Sequence, residues 1–135
     1  MGKVVLLDVE TWCDKGRAVV EVDGELDLFS ASVLRDALTR LSDDDQHYVV
    51  VELSRLKFMD SSGLGVLIGA AKRAAAGGGA LCVAGASDRV VKVLRVTGLM
   101  RVMPAFPALE DAFAWLDRVR ADRLAFPQRS ATPGP

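Results

Sequence analysis

Two kinds of hydrophobic patterning alternate along the chain, and the places where one gives way to the other divide it into elements. Residues 4–11 and 17–24 are rich in valine and leucine, interleaved with acidic side chains, as half-buried strands are. Between them Cys13-Asp14-Lys15-Gly16 carries turn residues, which predicts an antiparallel hairpin. Ser30 stands at a helix N-cap position, and Leu34, Ala37, Leu38 and Leu41 then recur at the spacing of one helical face. Ser42-Asp43-Asp44-Asp45 closes that helix in a polar turn. From Tyr48 to Leu53 the run is almost wholly apolar, as in a central strand covered on both faces. A second helix is expected from about Ser62, with Leu64, Leu67, Ile68 and Ala71 on one face and Gly77-Gly78-Gly79 as its stop. Ala80 to Ala84 reads as a short strand. Ser87 or Asp88 caps a third helix that carries Val90, Val93 and Leu94 and stops near Gly98. Val102-Met103 is expected as a short edge strand bounded by Pro104 and Pro107, and Leu109, Ala112, Phe113 and Leu116 mark a last helix.

The resulting order, ββαβαβαβα, predicts an α/β fold with a mixed central β-sheet and helices packed against it. Connections of this length favour parallel neighbours. One domain is expected over residues 1–123. Beyond Arg123 the periodicity fades, and Pro127, Pro133, Gly134 and Pro135 predict a disordered tail over 124–135.

Composition narrows the function classes. A chain of 135 residues, half of them hydrophobic, buries one real core. A formal net charge of −1 offers no basic stripe to a nucleic acid and no polybasic patch to an anionic membrane. No apolar run approaches the ~20 residues of a membrane-spanning helix, so no membrane insertion is expected. Met1-Gly2-Lys3-Val4 leads straight into the strand pattern, which predicts no signal peptide. The two cysteines, Cys13 and Cys82, stand far apart and outside any C-x-x-C pair. They read as small buried or half-buried thiols in a reducing, cytoplasmic setting.

Most catalytic arrangements fail on residue inventory. His47 is the single histidine, and nothing in the sequence places it near a serine as a general base. One histidine and two isolated cysteines do not assemble a metal set. Gly63-Leu64-Gly65 and Gly77-Gly78-Gly79 lack the lysine and spacing of a phosphate-binding loop. Arg118, Arg120 and Arg123 suit the C-terminal end of the last helix electrostatically. No cofactor is implied, and an enzyme is the least favoured class.

One segment asks for more. Leu56-Lys57-Phe58-Met59-Asp60-Ser61-Ser62-Gly63-Leu64-Gly65 follows the central strand and opens a helix. Either serine could be the N-cap, but only one can be. The following glycines each weaken a helix by about 1 kcal/mol relative to alanine, and they leave room for close approach by another molecule. A serine hydroxyl at such a helix start can accept a phosphate, because free N–H groups and the helix dipole stabilise the added charge.

Phe58-Met59-Asp60-Ser61-Ser62-Gly63-Leu64-Gly65-Val66 resembles the signature of bacterial anti-sigma factor antagonists of the STAS-domain family. Gly24-Glu25-Leu26-Asp27, expected after the second strand, resembles that family's G-E-L-D. Val96-Thr97-Gly98-Leu99 resembles the end of its third helix. The similarity spans about Val4 to Leu116. It implies the STAS fold and a regulator of transcription in stress response or sporulation, with Ser61 as phospho-acceptor. It also implies a GHKL-type serine kinase that doubles as anti-sigma factor. The unphosphorylated antagonist binds that kinase and frees the sigma factor, and a PP2C-type phosphatase restores it after phosphorylation. By the same resemblance Asp27 lies beside the acceptor, Asp60 precedes it, and Asp27, Asp60, Ser62, Gly63 and Leu64 form the partner-binding surface. The sequence leaves the oligomeric state open, with a monomer when free as the default. Two rival roles use the same fold: a STAS subunit of a lipid or anion transport system binding an ABC ATPase or permease, and a scaffold of a stress-sensing assembly.

Overall fold

The computed structural model describes residues 7–126. Its elements are β1 (Asp8–Asp14), β2 (Arg17–Leu26), α1 (Ala31–Asp43), β3 (Tyr48–Met59), α2 (Ser61–Ala76), β4 (Ala80–Ala84), α3 (Asp88–Val96), β5 (Ala105–Phe106) and α4 (Leu109–Ala125), with a 3-10 turn at Leu99–Arg101. The order is the expected ββαβαβαβα. The strands lie in one sheet in chain order; β1 is antiparallel to β2, and β2, β3, β4 and β5 run parallel.

The apolar runs of β2, β3 and β4 follow from burial on both faces. Ala18, Val20, Val22, Val49, Val51, Leu53, Leu81 and Val83 face the core shared with α1, α2 and α3. Val19, Val50, Cys82 and Ala84 point the other way, onto Ala112 and Leu116 of α4. Leu34, Leu38 and Leu41 are the buried stripe of α1, as their spacing requires. Burial pushes the Cys82 thiol up to about 12.

Several boundaries depart from the sequence expectation. Residues 4–6 of the first expected strand and 127–135 of the expected tail lie outside the described residues. β1 extends to Asp14, so the turn shrinks to Lys15-Gly16, both in the left-handed region at φ 52° and 79°. Cys13 therefore sits in a strand and is exposed, not half-buried. β2 continues to Leu26, which places Gly24-Glu25-Leu26 inside the strand, where the register with β3 shifts. β3 continues to Met59, six residues past Leu53. The edge strand is Ala105–Phe106, not Val102-Met103: the 3-10 turn draws the Met103 N–H onto the Leu99 carbonyl at 2.8 Å and buries Met103 completely. Pro104 does not exclude pairing, since its carbonyl accepts the Val83 N–H at 3.0 Å. α4 ends at Ala125, two residues past the Arg123 boundary.

Candidate functional site

The parallel strands β2 and β3 end side by side, and the Asp60 N–H donates to the Leu26 carbonyl at 3.1 Å. From these adjacent ends the chain leaves in two different ways. After β2 it forms a tight loop. The Asp27 carboxylate accepts the N–H groups of Phe29 and Ser30, each at 2.9 Å. Ser30 occupies the N-cap position of α1 but makes no side-chain cap. Its buried hydroxyl instead donates to the Glu25 carbonyl at 2.7 Å and accepts the Asp27 N–H at 2.9 Å. The Ser30 backbone N–H, more than any other contact, holds the Asp27 carboxyl below its ordinary value of 3.8, against a smaller opposing effect of desolvation. This knot lifts Leu28 and Phe29 outward, to 69% and 89% exposure.

After β3 the chain enters α2 directly. Neither serine is the cap: Asp60, in extended conformation, caps α2, accepting the Ser62 N–H at 2.8 Å and the Gly63 N–H at 3.4 Å. Ser61 is the first helical residue and is exposed, and its hydroxyl has no hydrogen-bond partner among the described residues. Ser62 is half-buried and Leu64 packs at the margin of the core. Gly63 is buried and turned inward, contrary to the expectation that it offers open backbone to a partner. A Cβ there would stand 2.5 Å from Leu26 Cγ and 2.9 Å from Met59 Cγ. Glycine at this position lets the start of α2 rest on the end of β2, whereas Gly65 has open space around it.

The structure thus brings Asp27, Asp60, Ser61, Ser62, Gly63 and Leu64 to the C-terminal edge of the parallel strands. It does not set the Asp27 carboxylate on Ser61; that group is committed to its own loop. The sequence reading missed two features of this edge. One is the exposed Leu28-Phe29 pair, visible in the sequence only as apolar residues before a helix. The other is a groove of about 320 Å³ beside Ser61. Leu56, Phe58, Met59, Leu64, Val90 and Val93 form its apolar walls, and Lys57, Asp60, Ser61, Ser87 and Arg89 its polar lining. It joins residues about thirty positions apart, so no local motif announces it. Among the described residues no group of His, Cys, Asp or Glu is arranged to hold a metal, and no helix is long and apolar enough to cross a membrane.

A five-stranded mixed sheet in this order, with an aspartate-capped helix whose first residue is an exposed serine, defines the class: the chain belongs to the STAS domain family, whose sequence model matches residues 8–112. Among its relatives, the anti-sigma-B factor antagonist of Staphylococcus aureus is 33% identical over 97 residues, covering 72% of this chain and 90% of the relative. The anti-sigma F factor antagonist of Paenibacillus polymyxa is 32% identical over 114 residues, covering 84% and 97%. A solved structure of the Bacillus cell-fate determinant SpoIIAA in its phosphorylated form superposes with a TM-score of 0.65 at 27% identity, covering 84% of this chain and 99% of that one.

Proposed function

We propose that the chain is an anti-sigma factor antagonist switched by phosphorylation of Ser61. The observation that carries the reading is the division of labour at the start of α2. Asp60 supplies the cap, so the Ser61 hydroxyl is left exposed with no structural duty. The names of the relatives support the antagonist role, and one solved relative is a phosphorylated form. In this role the unphosphorylated protein binds a GHKL-type serine kinase that is also the anti-sigma factor, and thereby releases the sigma factor. The Ser61 oxygen bonds to the γ-phosphorus of the kinase's ATP as the bond to ADP breaks, and the hydroxyl proton passes to a base on the kinase. A PP2C-type phosphatase hydrolyses the ester and restores the binding form.

The physical requirement is modest. Phosphate adds about −1.5 to −2 charges at the docking edge. A hundredfold loss of affinity needs about 2.8 kcal/mol, within reach of desolvating that charge or placing it against the partner's nucleotide. No refolding is required. The docking surface in this reading is centred on Ser61 and Leu64, with the exposed Leu28 and Phe29 as apolar anchors. The transport role gains no support from these relatives.

The test is phosphorylation by the cognate kinase with ATP, read by intact mass. The wild type gains one phosphate and Ser61→Ala gains none while still binding the kinase. Phosphate incorporation into Ser61→Ala refutes the assignment.

A further inference from the structure

The groove beside Ser61 carries more positive than negative charge, which is unexpected next to an Asp-Ser-Ser segment. Lys57 from the end of β3 and Arg89 from the first turn of α3 line the same space as the Ser61 side of α2. Among the described residues neither cation is held in an ion pair; the arginine that is so held is Arg17, with Asp14 and Asp117. The one carboxylate in the lining, Asp60, already accepts two backbone N–H groups. The Ser87 hydroxyl, which caps α3 by accepting the Val90 N–H at 3.3 Å, also lines the space and keeps its own proton to donate. A volume of about 320 Å³ holds a phosphoryl group together with ordered water.

We propose that this groove is the seat of the phosphoryl group on Ser61, held in cis by Arg89 and Lys57, with the Ser87 hydroxyl as a further donor. The proposal rests on Ser61 being the phospho-acceptor. It adds the site that receives the group and the residues that hold it. Arg89 offers a planar fork of donors suited to phosphate oxygens, and Lys57 a mobile point charge. The charges are complementary: two cations and one carboxylate leave a net +1 before modification, and a phosphoserine of about −1.5 to −2 turns it to between about −0.5 and −1. Phosphorylation then acts by filling the groove as well as by adding charge at the edge. An aspartate at position 61 is shorter and carries a single charge, so it reproduces the edge charge but not the filled groove.

The test installs phosphoserine at position 61 of the full chain during translation, so it depends on no kinase, and follows the phosphorus resonance by NMR from pH 4.5 to 8.5. Nearby cations favour the dianion, so the second ionisation of the folded protein falls below that of the same chain unfolded in urea, which lies near pH 6. The groups facing the ester are Lys57 on β3, Asp60 at the cap of α2 and Arg89 on α3, and Asp60 acts in the opposite direction. Arg89→Gln raises the midpoint by about half a pH unit, Lys57→Gln by less, and the double variant by the sum. Lys92→Gln, on the same helix but outside the groove, leaves it in place. Circular dichroism confirms that each variant is folded. A midpoint equal in wild type and in the double variant overturns the cis contact. Failure of the cognate kinase to modify Ser61 overturns the proposed function, whereas equal midpoints in wild type and the double variant overturn only the contact.

Discussion

The assignment of the cap to Asp60 yields the most discriminating stability prediction. Asp60→Ala removes a charged acceptor from the Ser62 N–H at 2.8 Å and the Gly63 N–H at 3.4 Å, and takes a negative charge from the positive end of the α2 dipole. A lost cap costs about 1 kcal/mol, and the dipole interaction adds a fraction of that, so the expected loss is about 1–2 kcal/mol. For a domain of this size that lowers Tm by about 4–8 °C. Ser61→Ala removes an exposed hydroxyl without a partner and changes stability by no more than about 0.5 kcal/mol. Asp60→Asn keeps a cap acceptor and recovers most of the loss. The assay is urea unfolding followed by far-UV circular dichroism, with the slope held constant across variants so that midpoints report stability. If Ser61→Ala loses as much as Asp60→Ala, the hydroxyl has a structural duty and the argument for a free acceptor collapses.

Three further outcomes follow from the same edge. Gly63→Ala destabilises by about 1–2 kcal/mol, because the methyl meets Leu26 and Met59, while Gly65→Ala stabilises by about 0.5–1 kcal/mol, because its surroundings are open and alanine favours helix; thermal melts of the two variants read the opposite signs. Phe29→Ala leaves Tm unchanged yet weakens kinase binding at least about tenfold by titration calorimetry, since the ring is 89% exposed and contributes nothing to the fold. The lowered pKa of Asp27 means that its stabilisation is fully present above the unfolded value of 3.8 and is lost as pH falls through the folded value. The urea midpoint of Asp27→Asn therefore lies below that of wild type at neutral pH, and the gap narrows as pH falls from 3.8 through the lowered folded value. A gap that stays constant as pH is lowered from neutral through the acid range contradicts the hydrogen-bonded carboxylate.

How legible the fold was depended on whether hydrophobic pattern and backbone pairing coincide. Over Tyr48 to Leu53 they do, because α4 and the α1–α2 layer cover both faces of the sheet. Past Leu53 they part: Ser54, Arg55, Lys57 and Phe58 are exposed, yet pairing with β2 continues through Asp23 opposite Arg55 and Leu26 opposite Met59. A periodicity argument ends the strand where the cover ends, six residues early. The edge strand was misplaced for a related reason. Met103 is apolar because it fills the core after a 3-10 turn, not because it pairs. At the start of α2, aspartate and serine are equally good caps by composition, and only the extended backbone of Asp60 decides between them. The motif residues were all visible, but Gly63 was read as open backbone when its role is packing on Leu26. The groove was invisible, because Lys57 on β3 and Arg89 on α3 come to line one space only when α3 packs beside the end of β3.

The most direct test of the switch is a comparative capture from a lysate of the native cells, using the wild-type chain and the chain carrying phosphoserine at position 61 as baits, with quantitative mass spectrometry of what each retains. The account predicts that the unmodified bait retains a GHKL-type kinase and the phosphorylated bait retains at least about a hundredfold less of it, a difference of about 2.8 kcal/mol. Equal retention of that kinase by both baits, or retention of a transporter ATPase or permease in its place, contradicts it.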